Sequence, residues 1–265
     1  MTLETALIRK DVGGGGSLIM SSQAYAIPPI AAGQCQVWWA TTTAVPPGLV
    51  RLLDAGERER LSRLYREEDR ALFLMAHALT RIVLSAHLEM DPRAIRFSNI
   101  CRYCGAQHGK PQIDPPSALD FSISHSGQRA VVAVAPGAIV GVDVECVTPL
   151  WDDSALLSMM LSNSEKLIVD GFQGRARDEA LFRYWTRKEA LLKATGHGLA
   201  VSPASITVSS PCQAPALLVW TAEMPGEAAF LYDLDAGPGH VASLATLDAE
   251  LNISEHHAND ILAKS

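Results

Sequence analysis

The chain switches twice from helical to strand periodicity, and this repetition limits its architecture more than any other feature. Between residues 57 and 88, Leu61, Leu64, Leu72, Met75, Leu79, Ile82 and Val83 recur three and four residues apart, with arginines on other faces. That spacing predicts helix in two pieces. Short β-type runs follow at residues 121–125, 130–135 and 139–145, broken by Ser126-Gly127 and Pro136-Gly137, and read as a meander. The same order then recurs. Ser162 and Glu165 have the spacing of a capping box, a strong helical pattern covers residues 177–195 and stops at Gly196, and strand-like runs return at 206–208, 217–221, 229–234 and 241–245. The expected fold is α+β, with two similar subdomains and a site at their junction. The aromatic strand at residues 36–40, followed by Pro46-Pro47, opens the first subdomain. The division expected is a flexible leader over residues 1–33, marked by Gly13 to Gly16 and Pro28-Pro29, then subdomains over 34–145 and 146–265.

Composition narrows the function classes. With 48% hydrophobic and 19% charged residues the chain is ordinary globular material, and no apolar run approaches the length needed to cross a bilayer. A net charge of -7 argues against broad attraction to nucleic acid or anionic membrane, and leaves room for a local basic pocket suited to a phosphate-bearing ligand. The five cysteines are an odd set, and Arg9, Lys10 and Asp11 interrupt any secretory-signal pattern, so a cytoplasmic location is expected; the chain is further expected to be a monomer.

Several segments carry chemistry. In Gly141-Val142-Asp143-Val144-Glu145, strand alternation sends both valines to one face and both acids to the other. Neighbouring anions repel unless a cation or proton lies between them, so the pair is either a set of solvated surface acids or a site for a hard ion such as Mg2+. On the helix Trp185-Thr186-Arg187-Lys188-Glu189-Ala190-Leu191-Leu192-Lys193, Glu189 and Lys193 share a face with Trp185. Four-residue spacing of this kind is commonly a solvated ion pair, but the tryptophan on the same stripe argues against full exposure. Phe121-Ser122-Ile123-Ser124-His125-Ser126-Gly127 ends a strand in small hydroxyls and a histidine, groups able to meet phosphate. Upstream, Gly109-Lys110-Pro111 suits a fixed loop presenting one cation.

The ordered set GKP, FSISHSG, GVDVE and WTRKEALLKATGHGL resembles the Sfp-type 4'-phosphopantetheinyl transferases over residues 59–209, and the last two motifs are that family's signature. The resemblance implies a pseudo-twofold pair of α+β subdomains with coenzyme A and Mg2+ bound between them. It implies transfer of the 4'-phosphopantetheine arm to a serine of acyl or peptidyl carrier proteins, with release of 3',5'-ADP. Position by position, Asp143, Glu145 and Glu189 match the metal-binding acids, and Lys193 matches the lysine at the pyrophosphate. Lys110, Ser124 and His125 match residues around coenzyme A, the histidine at its 3'-phosphate, and Arg60 falls where the family has a basic residue for that phosphate. Two rivals remain: a metal-dependent phosphohydrolase using the same acids, and a non-catalytic relative that docks carrier proteins. One departure from the family pattern is Cys101-Arg102-Tyr103-Cys104 followed by His108, three ligands of zinc type without an evident fourth. Reduced loop thiols are the preferred reading there, and structural zinc is the alternative.

Overall fold

The computed structural model describes residues 27–42, 45–101, 104–149, 154–221 and 226–265. The first half runs β1 (Gln34–Thr41), α1 (Ala55–Ser62), α2 (Glu67–Leu88), β2 (Arg96–Ile100), β3 (Gln107–Asp114), β4 (Leu119–Ser126) and β5 (Arg129–Pro136). The second runs β6 (Ile139–Cys146), α3 (Ser154–Met160), α4 (Asn163–Val169), α5 (Gly174–Thr195), β7 (Ile206–Val208), β8 (Leu217–Trp220), β9 (Ala229–Leu234) and β10 (His240–Leu247), with β11 (Asn252–His257) and α6 (Asn259–Ala263) to close. The element order of the first half is therefore repeated in the second, with α3 inserted.

The sheets repeat as well. One has the order β11-β1-β5-β4 and the other β6-β10-β9, so β1 pairs with β5 as β6 pairs with β10. This corrects the meander: β4 and β5 form a hairpin, but β6 leaves it and pairs antiparallel with β10. By hydrogen bonding β6 goes with the second half, so a division at 145/146 falls before the last residue of this strand, whereas the pairing changes ahead of its first. Of the expected leader, residues 1–26 lie outside the described residues, while the Pro28 and Pro29 carbonyls accept from Gln36 Nε2.

Strand alternation explains the layering. Trp38, Val132 and Phe121 face α2, where Leu79 and Ile82 complete one core. The opposite faces, Val37, Trp39, Val131 and Ala133, pack on Val140, Val142, Val144 and Leu244 of the second sheet. Beyond that sheet, Ala245 and Leu247 meet Leu181, Tyr184 and Leu191 of α5. The order of layers is helix, sheet, sheet, helix, with an apolar face at each contact. By length and composition α2 could cross a bilayer, contrary to the sequence reading, but 61% of its most apolar stretch is buried inside the fold, which marks it as a core helix.

In each half a buried cation ties the short helix to the long one. Arg81 on α2 donates to Glu57 (2.7 Å) and Asp54 (2.6 Å) at the start of α1 and to the carbonyls of Pro92 and Ile95. Lys188 on α5 donates to Glu165 (2.5 Å) at the start of α4 and to the carbonyls of Met160 and Pro203. Both glutamates also accept from the backbone N–H that precedes their own helix, the second arm of a capping box. A buried charge with this many partners is costly to strip of them, which fixes the short helix to the long one in each half.

Candidate active site

The site grows from the seam between β4 and β6. On β4, Phe121 and Ile123 turn toward α2, so Asp120, Ser122, Ser124 and Ser126 turn toward β6. Among the described residues the open edge of β6 has no strand partner, and β4 side chains take its amides instead. Val140 N–H donates to Asp120 (2.8 Å), Val142 N–H to Ser122 Oγ (3.0 Å) and Cys146 N–H to Ser126 Oγ (3.1 Å). Buried backbone donors need acceptors, and here side chains supply them.

The same row of hydroxyls holds the acids. Ser124 Oγ donates to Asp143 Oδ1 (2.8 Å), and Ser126 Oγ donates to Glu145 Oε2 (2.7 Å). From the other side α5 presses on β6 at Gly141, where a Cβ would lie 2.1 Å from the Ala190 carbonyl oxygen and 2.3 Å from Ala194 N. Only glycine permits that approach, which brings the next helical turn over the carboxylates. Lys193 Nζ donates to Asp143 Oδ1 (2.7 Å) and Trp185 Nε1 to Glu145 Oε1 (3.3 Å). The Glu189–Lys193 face is thus not a solvated ion pair, because the lysine turns to Asp143.

A cavity of about 430 Å3 gathers Ser124, His125, Asp143, Glu145, Glu189 and Lys193. Two of its acids, Glu189 and Glu145, resist ionisation. Burial, then repulsion from Asp143 and Glu145, pushes the Glu189 carboxyl up to about 6 against the partial relief of Lys193. Burial also raises Glu145, with repulsion from Asp143 adding to it against the hydrogen bond from Ser126. His125 is lowered by burial and by the neighbouring His77 and Lys193.

These residues fit a hard cation. Asp143 is 3% exposed, and its Oδ2 has no hydrogen-bond partner among the described residues. A buried carboxylate oxygen without a donor, beside two acids that repel it, matches the oxygen chemistry of Mg2+. Among the described residues no three His, Cys, Asp or Glu side chains are yet drawn together at metal-holding distance.

The remaining predicted residues stand apart from this cluster. Lys110 lies on strand β3 rather than in a loop. Its ammonium is committed to Asp120 (2.5 Å) and the Val140 carbonyl (2.8 Å) at the wall of a neighbouring cavity of about 470 Å3. Arg60, on α1, lines a smaller slot that adjoins the acid cavity through His77 and Ile123. His77 escaped the sequence reading because it lies opposite the apolar stripe of α2, on a mixed face with Arg70, Phe73 and Arg81 that carries no motif. Its Nδ1 lies 2.9 Å from Glu57 and its ring stacks on Phe73, so it faces the cavity from α2 in a fixed pose. Neither Cys101 nor Cys104 is in a disulfide. The zinc alternative turns on His108, whose side chain, with residues 102–103, lies outside the described residues.

Comparison with known proteins gives this geometry its context. Residues 38–137 match the family model described as 4'-phosphopantetheinyl transferase, N-terminal, and residues 139–245 match that of the 4'-phosphopantetheinyl transferase superfamily. The chain belongs to the 4'-phosphopantetheinyl transferases. Among its relatives are the 4'-phosphopantetheinyl transferase HetI of Nostoc, 32% identical over 57% of this chain and 63% of that protein, and ffp of Bacillus subtilis, 30% identical over 60% and 67%. The 4'-phosphopantetheinyl transferase Sfp of Bacillus subtilis is 29% identical over 57% of this chain and 64% of its own length. The chain thus spans about two thirds of the length of the curated relatives it matches. The two family models meet at residue 138, between β5 and β6, where the strand pairing also changes. The GVDVE segment lies within β6, and the WTRKEALLKA segment lies on α5, which packs over it.

Proposed function

We propose that this protein transfers the 4'-phosphopantetheine arm of coenzyme A to a serine hydroxyl of an apo carrier protein. The observation that carries the reading is the buried, unpartnered Asp143 Oδ2 in one cavity with Glu145, Glu189, Lys193 and His125.

The reaction joins the serine Oγ to the phosphorus that bears pantetheine. It breaks the bond from that phosphorus to the bridging oxygen, and 3',5'-ADP leaves. Phosphoryl transfer asks a protein mainly for positioning and charge compensation. Asp143, Glu145 and Glu189 would hold a divalent cation, which supplies charge stabilisation on the pyrophosphate when bound. Lys193, on the same wall, places a second positive charge where the departing bisphosphate becomes more anionic. The serine proton goes to a base. Glu189, which lines the same cavity as Asp143 and Lys193, would take it directly or through one water, with a proton affinity lowered by any cation it holds. His125 supplies a donor for phosphate oxygens, while Ser124, whose single O–H goes to Asp143 Oδ1, keeps that carboxylate in place.

The test is incubation with coenzyme A, Mg2+ and an apo carrier protein, read by intact mass. Gain of the phosphopantetheine arm on the carrier, lost in Asp143→Ala, is the expected result. Cleavage of coenzyme A without transfer would instead mark a phosphohydrolase, and an unchanged carrier that still binds would mark a non-catalytic docking relative.

A further inference from the structure

The two acids of β6 are each held between β4 and α5, but by different chemistry. Asp143 takes both donors on Oδ1, Ser124 Oγ from β4 and the Lys193 ammonium from α5. Glu145 takes one donor on each oxygen, Ser126 Oγ from β4 on Oε2 (2.7 Å) and Trp185 Nε1 from α5 on Oε1 (3.3 Å). The α5 partner of Asp143 is therefore a cation, and that of Glu145 a neutral N–H.

Packing accounts for an aromatic ring at residue 185 but not for its polar edge. The ring lies against the core between α5 and the second sheet, a place that phenylalanine would also fill. The indole N–H is instead spent on Glu145, at the wall of the acid cavity that Trp185 shares with Glu145 and Glu189. An indole has one donor and no acceptor, so it can hold an anion in place without competing for the cation that anion binds. Burial raises the Glu145 carboxyl, and the hydrogen bonds from Ser126 and Trp185 work against that rise.

The neutrality of this donor matters. A divalent ion among these acids repels an ammonium on the same carboxylate, whereas it leaves an uncharged N–H donor in position. A carboxylate oxygen that accepts one hydrogen bond keeps a lone pair for a cation, and hydrogen bonds of this kind orient metal-binding carboxylates. Resting on the transferase reading, we infer that Trp185 is a positioning residue, whose indole N–H aims Glu145 at the divalent cation and keeps its grip when the cation binds. The role is exercised through Glu145, and no proton or bond of the transfer passes through the indole.

Trp185→Phe keeps a ring in the core and removes the N–H. Binding of Mn2+, a probe with the same preference for oxygen, is followed by the electron paramagnetic resonance of the free ion, in the full chain and in this variant. The variant should bind Mn2+ about tenfold more weakly, with unaltered melting. A second readout is the indole 1H–15N resonance of Trp185, identified by its loss in the variant. In Glu145→Ala this resonance should move in chelator, because its acceptor is gone, and in the unaltered protein it should move when Mg2+ is added. Equal Mn2+ affinity in Trp185→Phe, or an indole resonance indifferent to the loss of Glu145, would overturn the assignment, while arm transfer by the unaltered protein would keep the transferase reading standing. Failure of the unaltered protein to bind Mn2+ at all would take down both this inference and the metal-dependent reading. If Trp185→Phe melts lower than the parent, the indole resonance decides.

Discussion

Replacing Glu189 by glutamine should make the metal-free protein more stable at alkaline pH, although it removes a functional residue. The Glu189 carboxyl is raised from an ordinary 4.5 to about 6, first by burial and then by Asp143 and Glu145. A raised acid binds its proton more tightly in the folded chain than in the unfolded one. Its contribution to stability is therefore fully present below 4.5 and is lost as pH rises through about 6. Above that range the fold carries an ionised Glu189 beside two other acids, at a cost of roughly 2 kcal/mol. Glutamine keeps the shape and removes the charge. In chelator at pH 8, Glu189→Gln should gain up to about 2 kcal/mol in urea denaturation, or about 4–8 °C in melting temperature. At pH 4.5 the difference should have shrunk to about 0.4 kcal/mol, and it should vanish at lower pH. Excess Mg2+ should then stabilise the unaltered protein more than the variant, because ion binding to the folded state adds stability. A variant that is less stable than the parent in chelator at pH 8, or a difference that ignores pH, would refute the reasoning.

Three further outcomes are expected. His125→Ala should slow transfer from coenzyme A by the equivalent of ~1.5–3 kcal/mol but change transfer from dephospho-coenzyme A little, a cycle in which the donor supplies the second deletion. Equal losses with both donors would place the histidine elsewhere than the 3'-phosphate. Ser122→Ala should cost about 1–3 kcal/mol in urea denaturation, because the buried Val142 N–H loses its acceptor, and unchanged stability would show the seam to be dispensable. Cys101→Ser with Cys104→Ser should leave transfer largely intact, and one equivalent of zinc per chain after purification without added metal would reverse that expectation.

Much of the site was legible because two local periods are rigid. Strand alternation placed Asp143 and Glu145 on one face, and the four-residue helical step placed Trp185, Glu189 and Lys193 together. Their partners were not legible, since a period says which way a side chain points and nothing about what stands opposite. Hence Lys193 reaches Asp143 rather than Glu189, and β6 pairs with a strand about a hundred residues away instead of its neighbour β5. Pro111 concealed β3, because its ring reads as a loop signal although it lies within the short β2–β3 ribbon. The polar strand β11 lacked apolar alternation, and only its parallel pairing with β1 makes it a strand. Asp54 and Glu57, at the start of α1, carried no signal in the sequence, and only the fold sets Arg81 against them.

The joint between β4 and β6 has a mechanical consequence. A backbone ladder tolerates almost any sequence, whereas this joint is spelled out in Asp120, Ser122 and Ser126 and can be rewritten one codon at a time. Ser126 serves two masters, since it takes the Cys146 amide and also steadies Glu145. Any force or mutation that pries the two halves apart therefore slackens a carboxylate in the same movement. Cleft width and the readiness of the acids are geared together, so the protein cannot open this seam and keep its acids in firing order.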